Sequence, residues 1–279
     1  MTAPINPPDL DTALKSLWGA RELPFGAAVE KPYASDTFNE TRHRLEQLVA
    51  VRACGLLHGP NGVGKTLLVQ HFLKSLPDKR YKSLVLSHSS VTGTDLLRLL
   101  CMELGQTARM RRSDNVLSIR QGWQQLDRLW PLVVLDEAQN LSATALEEVR
   151  LLSCDRRDTQ PPFSLLLVGD EQLLPRLQMG INAPLLARLS FCLRLQPWTA
   201  QELSGYVEAR LQDVGIHANP FDAAALQLLL QAGNGLPRLL NHLAQRSLEE
   251  AAAQNSRVVS AAHVQRALEL LPWVAQLAQ

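Results

Sequence analysis

Eight consecutive residues, Gly59-Pro60-Asn61-Gly62-Val63-Gly64-Lys65-Thr66, fit the spacing G-x-x-x-x-G-K-[ST]. Gly62 and Gly64 allow the backbone to wrap so closely that successive N–H groups point at phosphate oxygens. A helix starting near Lys65 adds the positive end of its dipole at the same place. In such a cradle Lys65 reaches the β- and γ-phosphates of a nucleotide, and the Thr66 hydroxyl ligates Mg²⁺. Downstream, the apolar run Leu132-Val133-Val134-Leu135 ends in two acids, Asp136 and Glu137. A buried strand there delivers Asp136 beside the loop, where it can hold Mg²⁺ through water, and sets Glu137 to polarise the water that attacks a γ-phosphate. The bland alternatives are a chance glycine loop and a Glu137 that only caps the next turn. The chemistry further asks for a cation where charge develops on the γ-phosphate. Arg188 and Arg238 are candidates because a guanidinium offers a rigid bidentate fork, although either could equally sit in a surface salt bridge.

Those residues need a scaffold, and the hydrophobic pattern supplies one. Short apolar runs read as buried strands at Cys54–His58, Ser83–Ser87, Leu132–Leu135, Ser164–Val168 and Phe191–Leu195. Helical spacing appears between them, at Thr37–Ala53, Thr66–Leu76, Asp95–Leu104, Val116–Trp130 and Ser142–Ser153, the last with Ser142 as N-cap. Strands that alternate with helices predict a parallel sheet covered on both faces. After Pro197 the pattern changes: 200–214, 221–232, 236–254 and 261–271 are helical, punctuated by Asn219-Pro220 and Gly233-Asn234-Gly235. The expected division is a leader and linker over 1–35, an α/β nucleotide-binding domain over 36–197 and an all-helical domain over 198–279. The leader reads as irregular or weakly helical up to residue 22, then as an extended linker over Leu23–Tyr33.

Composition agrees with a folded soluble chain. The 279 residues include 46% hydrophobic and 20% charged, and 28 Lys+Arg against 27 Asp+Glu leave a formal charge of +1. That excludes disorder and collagen, and it argues against nucleic-acid binding through overall basicity, though not through a local basic stripe. Cys54, Cys101, Cys154 and Cys192 are scattered without C-x-x-C spacing, which predicts reduced thiols in the cytosol rather than a metal or disulfide framework. No signal peptide and no apolar run of roughly 20 residues is evident, so a soluble, cytoplasmic protein without membrane insertion is expected.

The order of these elements resembles AAA+ ATPases, and among them most closely the ExeA (general secretion pathway A) type and the transposition-helper ATPases of the TniB, TnsC, MuB and IstB kind. The resemblance extends from about Leu23 to Leu271. It is carried by Leu23-Pro24-Phe25, the phosphate loop, Val134-Leu135-Asp136-Glu137-Ala138-Gln139-Asn140-Leu141, Leu146–Leu152, Leu167-Val168-Gly169 and Gly235-Leu236-Pro237-Arg238-Leu239-Leu240-Asn241. It implies a P-loop NTPase of the AAA+ class: a parallel five-stranded sheet sandwiched by helices, followed by a small helical lid, with ATP and Mg²⁺ as ligands. It further implies that Arg188 is the arginine finger reaching a neighbouring subunit's nucleotide, and that Arg238 is the sensor-2 arginine. Asp170 falls at or next to the sensor-1 position, where relatives usually carry a neutral polar residue; an acid there repels a phosphate unless it is paired or turned away. Ser87 or His88 is a candidate to orient Glu137. Phe25 and Tyr33, with the backbone near Val29, are candidates for adenine contact or for plain core plugs.

ExeA-type secretion proteins continue into a transmembrane helix and a wall-binding region, whereas the transposition helpers stop at the lid, as this sequence does at Gln279. The transposition resemblance implies a homo-oligomer, ring or filament, that binds duplex DNA and regulates a transposase. Basic groups must then face the sugar-phosphate backbone. Between Arg98 and Arg120 five arginines outnumber two acids, and Arg109, Arg111 and Arg112 cluster between two helices where a loop would project. Arg150, Arg156 and Arg157 form a second patch. Solvated surface arginines or inter-subunit ion pairs are the alternative. No zinc finger or helix-turn-helix remains for base readout, so sequence-independent binding is expected. The rival readings are an accessory ATPase for secretion-apparatus assembly and a slow-turnover, nucleotide-gated scaffold.

Overall fold

The structure, a computed structural model, describes residues 7–26, 32–87, 91–154 and 161–271. Its described residues fall into two compact units: one drawn from 36–60 and 65–196, the other from 1–35, 61–64 and 197–279.

The first unit is built on five strands: β1 (Cys54–His58), β2 (Tyr81–Leu86), β3 (Trp130–Leu135), β4 (Ser164–Gly169) and β5 (Leu189–Arg194). They form one parallel sheet in the order β2-β3-β4-β1-β5. The inner strands β1, β3 and β4 are almost wholly buried, which is why they read as unbroken apolar runs rather than alternating ones. The edge strand β2 alternates more, and its Val85 is partly exposed. Crossover helices supply the rest: α2 (Asp36–Ala50), α3 (Lys65–Ser75), α4 (Gly93–Glu103), α5 (Arg112–Gln125), α6 (Ala143–Leu152), α7 (Leu173–Gln178) and α8 (Ala183–Leu186). Leu56, Leu84, Leu96, Leu97, Leu165 and Leu167, all essentially inaccessible, belong to the core this sheet shares with α4 and its neighbours. The architecture is the α/β, five-stranded P-loop AAA+ one.

Helix ends account for the differences from the pattern expected along the chain. The spacing that includes Val51 suggests a helix running to Ala53, but α2 ends at Ala50, Arg52 takes a left-handed φ of 58°, and Val51 is 61% exposed. The helix expected over 116–130 starts earlier, at Arg112, and stops at Gln125; Asp127, at φ 51°, turns the chain so that Trp130 can open β3. Ser142 caps α6 as anticipated, its Oγ accepting the Ala145 N–H at 3.1 Å.

The second unit is helical: α1 (Pro7–Trp18), α9 (Ala200–Asp213), α10 (Ala223–Gly233), α11 (Pro237–Ala253) and α12 (Ala261–Leu270). Each boundary has a local cause. Thr199 and Glu202 close a capping box on α9, Asp222 caps α10, Asn234 ends α10 in the left-handed conformation, and Pro237 occupies the first turn of α11, where its missing N–H costs nothing. The leader is more ordered than its composition suggests. Leu14 of α1 is 1% exposed in the same core as Val207, Leu229 and Leu243, and the Trp18 indole donates to the Arg257 carbonyl at 2.8 Å. Across the described residues no helix is long and apolar enough to cross a membrane.

Candidate functional site

The loop after β1 departs from ordinary backbone where the motif needs it to. Gly62 and Gly64 have φ of 87° and 108°, values that only glycine adopts without strain. A Cβ on Gly64 would meet nothing within 4 Å, so its side of the loop is open. Lys65 opens α3, is 8% exposed, and donates from Nζ to the carbonyls of Gly59 at 2.8 Å and Pro60 at 3.0 Å. The loop thus holds its own ammonium group against its own carbonyls. Val63 is buried and anchors the loop, Pro60 and Gly62 are half-buried, and Asn61 is exposed. Residues 61–64 group with the helical unit, where the Arg238 N–H donates to the Gly62 carbonyl at 3.2 Å and Arg238 Cβ would lie 3.1 Å from a Cβ on Gly62.

The acids are set by the sheet. The Thr66 hydroxyl donates to Asp136 Oδ2 at 3.0 Å, so two hard oxygen donors from α3 and the tip of β3 stand side by side. This donor pair fits Mg²⁺, which is commonly held by one or two protein oxygens together with substrate phosphates and water. Among the described residues no cluster of three His, Cys, Asp or Glu forms a self-sufficient metal cage. Glu137 follows in a left-handed conformation (φ 52°, ψ 37°), unusual for a residue with a side chain. Its N–H is held by Asp136 Oδ1 at 2.9 Å, and its carboxylate is exposed. Asp136 is 9% exposed.

Ser87, one of two candidates to orient Glu137, makes no hydrogen bond to it; Gln139 does, donating from Nε2 to Glu137 Oε2 at 2.6 Å. His88 lies outside the described residues. Asp170, at the end of β4, is half-buried and turned into its own loop: its Oδ1 accepts the Gln172 N–H at 2.9 Å. A backbone N–H bond of this kind orients the carboxylate within its turn and leaves its charge in place. Glu171 beside it pairs with Arg194 at 2.6 Å.

The remaining positions are dispersed. Arg188 is exposed between α8 and β5, and its guanidinium has no ion-pair partner among the described residues. Arg238 is exposed in the first turn of α11. Phe25 is 4% exposed in the helical core, so it is a core plug, and Tyr33 packs against Trp198 and Tyr206 with ring centroids 5.7 and 5.9 Å away. Val29, Arg156 and Arg157 lie outside the described residues. In the basic loop, the fully buried Asn115 brackets the backbone of one residue: its Oδ1 accepts the Arg109 N–H at 2.7 Å and its Nδ2 donates to the Arg109 carbonyl at 3.0 Å. Arg109 and Arg111 are exposed. Arg112 is already engaged, its guanidinium donating to both oxygens of Glu148 at 2.5 and 2.7 Å, and Arg150 pairs with Glu147.

His58, the last residue of β1, is 7% exposed and its Nδ1 has no partner among the described residues. Burial first, then the positive charge of Arg194, push its pKa below the usual value; Glu171 pulls the other way, and Lys65 adds the smallest push downward. The folded chain therefore resists a proton that the unfolded chain accepts below about pH 6.5. Stability should fall as pH drops from that point toward the folded-state pKa. The slope of Tm against pH should be shallower in His58→Gln; identical slopes would assign the acid sensitivity elsewhere.

Comparison with known proteins agrees with this geometry. Residues 49–177 match the AAA domain family. General secretion pathway protein A of Aeromonas hydrophila is 29% identical over 214 residues, 73% of this chain and 38% of that protein. The Mu-like prophage FluMu DNA transposition protein B of Haemophilus influenzae is 26% identical over 196 residues, 68% of this chain and 64% of that one. The chain thus spans less than two thirds of either relative. The crystal structure of Cdc6p from Pyrobaculum aerophilum superposes with a TM-score of 0.72 at 15% identity, covering 88% of this chain and 70% of that one. Sheet order, phosphate-loop geometry and these likenesses together identify a chain that carries an AAA domain over residues 49–177 and is similar to general secretion pathway protein A and the Mu-like DNA transposition protein B.

Proposed function

We propose that the chain binds and hydrolyses ATP with Mg²⁺, forms a homo-oligomer when ATP is bound, and acts on duplex DNA as a transposition helper that regulates a transposase. The observation that carries the nucleotide reading is the convergence of Lys65 in a glycine loop, the Thr66–Asp136 pair and a conformationally strained Glu137. Backbone N–H groups of Asn61–Thr66 and the Lys65 ammonium bind the phosphates. Thr66 and Asp136 would hold Mg²⁺, which when bound neutralises charge on the β- and γ-phosphate oxygens. Glu137 accepts the proton of the attacking water while that oxygen bonds to the γ-phosphorus and the bond to the β-bridging oxygen breaks. Arg188 from a neighbouring copy and Arg238, the sensor-2 arginine of the resemblance, stabilise the transferring group. The similarity to a DNA transposition protein and the bracketed Arg109 loop support the DNA reading. There Arg109 and Arg111 meet phosphates, and Arg112 holds the loop in place through Glu148.

ATPase rate and oligomer size, each measured with and without duplex DNA, test the whole reading. Both should rise with DNA. The double variant Arg109→Ala/Arg111→Ala should weaken DNA binding and reduce the slope of log K against log salt by about two. An unchanged slope would remove this loop from any DNA surface. The likeness to general secretion pathway protein A favours a second reading, an accessory ATPase for secretion-apparatus assembly. Co-fractionation with membranes and indifference to DNA would select it. ATP-dependent assembly without phosphate release would select the third reading, the slow-turnover, nucleotide-gated scaffold.

A further inference from the structure

The turn after Glu137 is held more tightly than a loop requires. Gln139 sits in the short 3₁₀ turn Ala138–Asn140 and is half-buried. Its Nε2 donates to Glu137 Oε2 at 2.6 Å, and its Oε1 accepts the Asp170 N–H at 3.2 Å. Chemistry leaves this amide only one orientation. A carboxylate only accepts and a backbone N–H only donates, so flipping the group would break both bonds. The approach to β4 is close: a Cβ on Gly169 would lie 2.7 Å from Gln139 Oε1. From α7 the Arg176 guanidinium donates to the carbonyls of Gln139 and Leu141, so the backbone of the turn is fixed as well. Glu137 itself, in the left-handed region, depends on such neighbours to stay where it is.

We propose that Gln139 is a positioning residue that ties the Glu137 carboxylate to the tip of β4, so that displacement at Asp170 moves the base. This rests on the ATPase reading above. The two tips are adjacent because β3 and β4 pair in register, Leu135 opposite Leu167. A contact made by a γ-phosphate at the end of β4 then reaches Glu137 through one side chain, without any motion of the strands. The link runs through a polar group with one donor and one acceptor in use, which neither an aliphatic nor an acidic side chain reproduces.

The test uses the full chain with Gln139→Met, close in length but without the amide, and Gln139→Glu, which cannot donate to Glu137 when ionised. Each should keep the Kd for Mg·ATP within about twofold of the parent while kcat falls about ten- to a hundredfold, the scale of a base displaced by about an ångström. An unchanged kcat, or a joint collapse of affinity and kcat, would overturn the assignment. A second readout does not depend on turnover: the side-chain amide ¹⁵N resonance of Gln139 should shift when Glu137→Ala is introduced. If the parent chain does not hydrolyse ATP, the proposed function fails, yet a shifted resonance still supports the tie. A resonance that does not respond overturns it whatever the turnover.

Discussion

Lys65→Ala should abolish measurable Mg·ATP binding while leaving the fold intact. Nζ is buried among the loop carbonyls of Gly59 and Pro60, so the cationic group is already ordered where phosphates would arrive. A unit charge about 4 Å from another, at the effective dielectric of such sites, is worth about 4 kcal/mol. Even after the carbonyl contacts are given up, a loss of at least about a hundredfold in affinity is expected. Removing the side chain opens the space it fills beside the Gly59 and Pro60 carbonyls, where water can take over its hydrogen bonds, so the melting temperature should move by only a few degrees. Titration calorimetry of parent and variant with Mg·ATP is the measurement. Affinity retained within about fivefold would place the phosphates somewhere other than this loop.

Glu137→Gln should separate binding from turnover. The substitution keeps the size and hydrogen-bonding reach of the side chain, and the new amide oxygen can still accept from Gln139. What it cannot do is take a proton from water. General bases contribute about 10²- to 10⁴-fold, so phosphate release at saturating ATP should fall by at least about a hundredfold, with the Kd for Mg·ATP within about threefold of the parent. Nothing in the phosphate loop changes, which sets this outcome apart from that of Lys65→Ala. Phosphate release at the parental rate would show that another group activates the water and that the strained conformation of Glu137 has a purely structural cause.

The chemistry of the phosphate loop was legible before any fold was known because it is local. It uses backbone N–H groups of consecutive residues, and a glycine pattern reports the φ values such a loop requires. The inner strands were legible for a related reason: strands buried on both faces leave uninterrupted apolar runs, as in Leu132–Leu135 and Leu165–Val168. Helix ends were less so. Val51 continues the spacing of α2 but lies beyond its end, because hydrophobic spacing does not register the left-handed turn at Arg52. The ordering of the leader also escaped composition, since α1 owes its burial to residues of α11 far along the chain.

What the amino-acid order determined alone was therefore a nucleotide-type phosphate cradle, a strand ending in two acids, and an α/β unit followed by helices. Tertiary structure decided how side chains distant in sequence are spent. Gln139 lies in plain view two residues after Glu137, but its role depends on β4 lying beside β3, which brings the Asp170 N–H within reach of the same amide. Arg112 looked as available as Arg109 and Arg111 until the packing of α5 near α6 gave it Glu148. Asp170 read as a charge without a direction until its turn supplied the Gln172 N–H. Residue type limits which bonds a side chain can make. Which partner it meets is settled by sheet order and helix packing, through contacts too far apart in sequence for local spacing to encode.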